Sequence, residues 1–242
     1  MIKKKVGVIG CGKWGRLIIN ELKKISTIKF IYNSKNNLKQ FDNNIDWIFI
    51  LTPNKTHYQI VSFFLKKKIN VFCEKPLTLT SNKAIKLVNL AKSNGVKLYI
   101  DDIENFKKKN IKLNEGINSI IRTKKDFGTS ISLLERLAYH DLYLLRKKLI
   151  YKKIVSITVK KKIKSINFKI ILQNNTTFNF YYDINSKIRK HLINKINFEK
   201  FKNNPISDML KFVLYKKANF KKNNLDAIFC IMVIKKIIKN IN

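Results

Sequence analysis

The chain has 242 residues, 51 Lys and Arg against 15 Asp and Glu, and a formal net charge of +36. Such an excess invites a nucleic-acid partner, yet only 5 of the basic residues are Arg, and Lys, Asn and Ile together make up 113 positions. A surface shaped to read phosphates and base edges favours the bidentate guanidinium, so the charge reads as A/T-rich codon bias over solvated faces, and no specific nucleic-acid partner is expected.

The first hundred residues alternate short apolar runs with helical spacing. Residues 5–9 read as a buried strand. From Trp14 the apolar positions are Leu17, Ile18, Leu22 and Ile25, a helical stripe. Strands follow at 28–32 and 46–51, a helix at 56–67 and a strand at 70–73. The helix at 81–93 carries Ala84, Leu87, Val88 and Ala91 on one face, with Gly95 just past its end, and a strand at 97–100 closes the series. Repeated βα units with apolar strands predict a doubly wound parallel sheet of Rossmann type, in an α/β domain over residues 1–103.

After residue 103 the pattern changes. A strand is expected at 117–124, then a helix at 130–147 with Leu133, Leu137, His140 and Leu144 along one stripe. Strands follow at 154–160, 166–173 and 177–182. The last two predict a hairpin whose loop Asn174-Asn175-Thr176 sets Leu172 opposite Phe178 and Ile170 opposite Phe180, Asn supplying the left-handed turn residue. Helices at 206–215 and 224–238 end the chain. Residues 104–242 thus read as a small α+β domain with a mainly antiparallel sheet, its last helix free to pack back on the first domain.

Other classes are set aside by the same reading. A hydrophobic content of 45% supports a packed core. The longest wholly apolar stretch, 227–234, falls far short of the roughly 20 residues that span a bilayer, so no membrane partner is expected. The basic start at residues 2–5 lacks an unbroken apolar run after it, because Gly10, Gly12 and Lys13 interrupt. Cys11, Cys73 and Cys230 stand at no metal-binding spacing and suit reduced thiols in a cytoplasm; no metal site is expected.

Four of the seven glycines fall in the first fifteen residues. Gly10-Cys11-Gly12-Lys13-Trp14-Gly15 is G-x-G-x-x-G, directly after a strand and opening a helix, the arrangement that brings backbone amides to a pyrophosphate. The end of the second strand, where an acidic residue would hold a ribose 2′-hydroxyl, carries Asn33, Ser34 and Lys35 instead. With no carboxylate to repel a 2′-phosphate and a Lys beside it, the cofactor expectation is NADP or NAD, leaning to NADP.

Two more motifs end strands on the rim where open parallel sheets bind ligands: Thr52-Pro53-Asn54 with His57, and Glu74-Lys75-Pro76. With the glycine turn they stand in the order and spacing of the Gfo/Idh/MocA family, which the chain resembles; Asn204-Pro205-Ile206 and Asn224-Leu225-Asp226-Ala227 resemble its closing segment. The resemblance is strong over residues 1–100 and loose over 104–200. It implies hydride transfer between a nicotinamide and a hydroxyl or keto carbon of a sugar, polyol or nucleotide sugar. Lys75 would move the proton on the reacting oxygen, touching substrate and cofactor, with Glu74 orienting it. Thr52, Pro53 and Asn54 would line the nicotinamide ribose, with His57 either beside them or a plain residue of the helix start.

The family's Asp-x-x-x-His helix is matched at His140, as acid–base and substrate residue or as a core histidine. Arg136 stands where the Asp is expected; it cannot accept a proton but can clamp an anionic substrate. Asp141 or Glu135 would partly replace the lost carboxylate, and His191 receives no role. Asp101-Asp102 is a weak hint of nucleotide-sugar work. The short, Lys-rich stretch from Phe106 to Leu133 implies a shallower cleft and a trimmed sheet for any homo-oligomer. The alternative functional expectations are a relative that binds dinucleotide without turnover and, remotely, an anionic-surface binder.

Overall fold

The computed structural model describes residues 2–33, 35–36, 40–126, 130–216 and 219–241. The chain forms two compact units, Met1–Phe106 with Asn204–Ile228, and Lys107–Asn203 with Phe229–Asn242.

The first unit is built on five parallel strands, β1 (Lys5–Ile9), β2 (Thr27–Tyr32), β3 (Trp47–Ile50), β4 (Asn70–Cys73) and β5 (Leu98–Ile100), in the order β2-β1-β3-β4-β5. Helices α1 (Lys13–Ile25), α2 (Asn54–Lys66) and α3 (Ser81–Ser93) connect them. All four residues of β3 are buried, as a central parallel strand covered on both faces requires, whereas the edge strand β2 alternates. On one face Val6, Val8, Phe49, Phe72 and Tyr99 pack against Ile18 and Leu22 of α1 and against Met209, Leu210 and Val213.

Those last three belong to α6 (Pro205–Tyr215), which opens with Asn204 Oδ1 accepting the Ser207 amide at 3.1 Å and Pro205 in its first turn. The sequence reading cuts the chain once, at residue 103; the structure groups α6 and the start of α7 (Phe220–Lys239) with the first unit. Asn223 of α7 bonds both backbone groups of Ile100, accepting its N–H and donating to its C=O at 2.8 Å each, so the β5 edge is covered.

The second unit holds a six-stranded sheet ordered β11-β10-β6-β9-β8-β7: β6 (Ile117–Lys125), β7 (Ile154–Lys161), β8 (Ser165–Leu172), β9 (Thr177–Asp183), β10 (Asn185–Ile193) and β11 (Ile196–Asn197). Only β6 and β9 pair in parallel. The β8–β9 hairpin forms with a register that differs from expectation: Ile170 faces Phe178 and Phe168 faces Phe180. Leu172 N–H donates to Thr176 O, and Asn175 takes the left-handed turn conformation with φ 60°. The two-residue slip keeps both apolar sets on one face because the side-chain period is two. Strand β10 escapes sequence reading, since its Lys- and Arg-rich run buries only His191 and Ile193.

The helix expected at 130–147 is broken into α4 (Ser130–Leu133), a π turn (Leu134–Ala138) and α5 (Tyr139–Leu145). No helix among the described residues is long and apolar enough to cross a membrane.

Candidate functional site

In the first unit four loops leave the carboxyl ends of β1, β3, β4 and β5, and backbone bonds lock them side by side. Leu51 N–H donates to Ile9 O, Glu74 N–H to Ile50 O and Asp101 N–H to Cys73 O, all within 2.7–2.9 Å. The glycine turn, Thr52-Pro53-Asn54, Glu74-Lys75-Pro76 and Asp101-Asp102 therefore line one rim of the sheet.

The glycine turn has the shape a dinucleotide needs. Gly10 sits at φ 102°, and a Cβ there would run into the Leu51 carbonyl; at Gly15 it would strike the Gly10 carbonyl. Gly12, by contrast, faces open space: a Cβ built on it meets nothing within 4 Å. It is also the N-cap of α1, a helix with no acidic residue in its first turn and no side-chain cap. The first-turn amides of Lys13, Trp14 and Gly15 have no intrahelical acceptors, and the dipole favours negative charge. A cradle open to the backbone at the start of a 13-residue helix fits a pyrophosphate.

At the end of β2, Asn33 closes a turn: its Oδ1 accepts the Lys35 amide at 2.9 Å and its N–H donates to Asn36 Oδ1 at 2.7 Å. Lys35 is exposed and Asn33 stands where a ribose carboxylate is expected. Ser34 lies outside the described residues.

His57 is completely buried in α2, with Nδ1 2.8 Å from Pro76 O and Nε2 2.8 Å from Thr52 O. It ties the Thr52 turn to the Lys75–Pro76 peptide, which is cis. Burial pushes its pKa down while the two carbonyls oppose that shift. Thr56 hydroxyl bonds Thr52 Oγ1 and Pro53 O at 2.8 Å each, fixing the same turn.

Around Lys75 the structure gathers carboxyls that sequence reading ranked low. Asp101 is buried; its Oδ2 accepts the Trp14 indole N–H at 3.2 Å and its Oδ1 the Ile103 amide at 3.0 Å. A side-chain hydrogen bond joins it to Glu74. Burial, then the Asp101 charge, pushes the Glu74 carboxyl well above the ordinary range, while Lys75 pulls it back. Burial likewise raises Asp101, against its donors and Lys75. Asp102 beside it accepts the Tyr99 hydroxyl at 2.6 Å and an Asn105 amide hydrogen at 3.1 Å; burial raises it to about 7. The signal in the sequence was position alone, two acids directly after β5.

The remaining site residues belong to the second unit. His140 is half-buried on α5. Arg136, in the π turn, pairs with Asp126, which also holds Lys124. Asp141 is fully buried and accepts Arg122, Tyr182 and His191, so it is committed to the sheet. Among the described residues no cluster of His, Cys, Asp or Glu has a metal-binding arrangement.

Comparison with known proteins bears on the fold. Residues 4–101 match the family model described as the oxidoreductase family with NAD-binding Rossmann fold, GFO_IDH_MocA. The D-xylose 1-dehydrogenase (NADP(+)) of Hypocrea jecorina is 40% identical over 52 residues, 22% of this chain and 13% of that enzyme; the match thus spans well under a fifth of the relative's length. Among solved structures, UDP-N-acetylglucosamine 3-dehydrogenase GnnA from Acidithiobacillus ferrooxidans superposes with a TM-score of 0.85 at 16% identity, covering 100% of this chain and 98% of that one. GenD2 from gentamicin A biosynthesis, in complex with NAD, gives 0.80 at 12% identity over 99% and 94%. Residues 4–101 are thus similar to the NAD-binding Rossmann domain of the Gfo/Idh/MocA oxidoreductases, and the solved structures share the fold over the rest of the chain.

Proposed function

We propose that the chain is a nicotinamide-dependent oxidoreductase that moves a hydride between its cofactor and a hydroxyl or keto carbon of a sugar, polyol or nucleotide sugar. One observation carries the reading: the open backbone cradle at Gly12 and the Glu74-Lys75-Pro76 turn stand on the same rim of the sheet. The substrate class is supported by its likeness to a D-xylose 1-dehydrogenase and to a UDP-N-acetylglucosamine 3-dehydrogenase.

Bound nicotinamide supplies the hydride acceptor or donor. Lys75 takes the hydroxyl proton as the hydride leaves the carbon, and returns it in the reverse direction. Thr52, Pro53 and Asn54 hold the nicotinamide ribose, His57 fixes their turn, and Gly10 to Gly15 hold the pyrophosphate. Asn33, Ser34 and Lys35 receive the adenosine ribose, and the missing carboxylate favours NADP over NAD. Arg136 and His140 are assigned to the substrate. The location is the cytoplasm, and a second copy docks on the outward face of the β6–β10 sheet, where Ile117, Ile121 and Tyr181 stand among Ser119, Asn167 and Asn179.

A second reading, a dinucleotide binder without turnover, is favoured by Arg136, which occupies the family's Asp position and is already paired with Asp126. Titration with NADPH and NADH, followed by fluorescence, tests the first step; binding of neither ends both readings. Hydride transfer to a panel of sugar substrates, abolished by Lys75→Ala with nucleotide affinity retained, separates the two.

A further inference from the structure

Two carboxyl groups in direct contact, the buried Asp101 and the half-buried Glu74, stand beside one lysine, and their surroundings differ. Among the described residues two N–H donors meet Asp101, the Trp14 indole on Oδ2 and the Ile103 amide on Oδ1, and its third neighbour is the Glu74 carboxyl. Glu74 has one oxygen, Oε2, buried without any hydrogen-bond partner. An ionised carboxylate oxygen left bare in a dry site costs more than a neutral one. Two carboxyls in contact away from water do not both ionise. The remaining groups that face them are the Cys73 thiol, which burial and then both acids push up, and Asp102, raised by burial.

We propose that Asp101 rather than Glu74 is the anion that holds the Lys75 ammonium, that Glu74 carries a proton which it donates to Asp101, and that Asp101 is a positioning residue linking the glycine turn to Lys75 through Trp14. The division follows from the two N–H donors that meet Asp101 and the bare oxygen of Glu74. It inverts the role that the family resemblance implies for Glu74. What Lys75 does in the reaction rests on the oxidoreductase reading above; the charge assignment does not.

Infrared spectroscopy of the whole chain at pH 8, without nucleotide, tests the assignment directly. A protonated carboxylic acid should show its carbonyl stretch above the amide band. Labelling glutamate side-chain carboxyls with 13C should shift this band, labelling aspartate should leave it in place, and Glu74→Gln should remove it. No band in the wild type, a band that moves with aspartate labelling, or a band that survives Glu74→Gln overturns the proposal. The positioning role is read from the pH profile of hydride transfer. Asp101→Asn should move the limb that reports Lys75 to lower pH by about one unit or more, because the ammonium loses its anion. An unmoved limb overturns that role. If the band behaves as expected and no nicotinamide nucleotide binds, the oxidoreductase reading falls and the charge assignment stands.

Discussion

The imidazole Nε2 of His191 lies 2.8 Å from Asp141 Oδ1, and neither side chain reaches solvent. Arg122 Nε, at 3.0 Å, and the Tyr182 hydroxyl, at 2.9 Å, meet the second oxygen. Strands β6, β9 and β10 thus each send one donor to a single carboxylate on α5, which clamps that helix to the sheet. Burial would raise the Asp141 carboxyl, but Arg122 and His191 outweigh it and hold it at about 2; burial and the Asp141 charge push the Tyr182 hydroxyl well up.

Removing that carboxylate leaves a buried guanidinium without its counter-ion, so Asp141→Asn should cost about 3–5 kcal/mol. Acid should act through the same group. Its folded value lies below the ordinary 3.8, so its contribution is present above pH 4 and is lost as pH falls through 2. The loss should amount to about 2 kcal/mol. Urea unfolding at pH 6 and at acid pH checks both; equal stability of variant and wild type at pH 6 would refute the clamp.

The glycines of the turn should separate binding from folding. Gly12→Val places its side chain in open space, so melting should change by no more than about 1 kcal/mol while nucleotide affinity falls at least about tenfold. Gly15→Ala drives its Cβ into the Gly10 carbonyl and should destabilise the unit itself. Thermal melts beside fluorescence titrations decide; full affinity in Gly12→Val would remove the cradle from the site.

Asp102 predicts the opposite pH trend to Asp141. Its folded value, about 7, lies above 3.8, so the stability tied to its protonated form is present below pH 4 and lost as pH rises through 7. Up to about 4 kcal/mol is at stake. Asp102→Asn should flatten this slope and be the more stable protein at pH 8. Denaturant midpoints at pH 5 and 8 for both proteins measure the slope, and parallel curves would count against it.

If Lys35 contacts a 2′-phosphate, Lys35→Glu should weaken NADPH by about tenfold or more and leave NADH within about threefold. The two dissociation constants, measured at fixed ionic strength, give the ratio. An equal loss for both nucleotides would mean a general field effect of the +36 chain and not a contact.

The first hundred residues were legible because their signals are local. Apolar runs such as Trp47–Ile50 mark strands buried on both faces, and a glycine turn between strand and helix declares itself within six residues. The second unit was legible in part. The β8–β9 pair was visible, its register was not, because a two-residue slip leaves the apolar pattern unchanged. Strand β10 was hidden by charged residues on a largely exposed strand, and the π turn by a stripe that also suits an unbroken helix.

The sequence by itself determined the Rossmann unit, its Gly10–Gly15 turn and the placing of Lys75 at a strand end, since each depends on neighbours in the chain. Only the tertiary structure decided which carboxyls matter. Asp101 meets Trp14 across 87 residues and Asp141 meets His191 across 50. Burial and donors contributed by distant strands fix a charge state, and neither is written in the spacing of the residues that carry it.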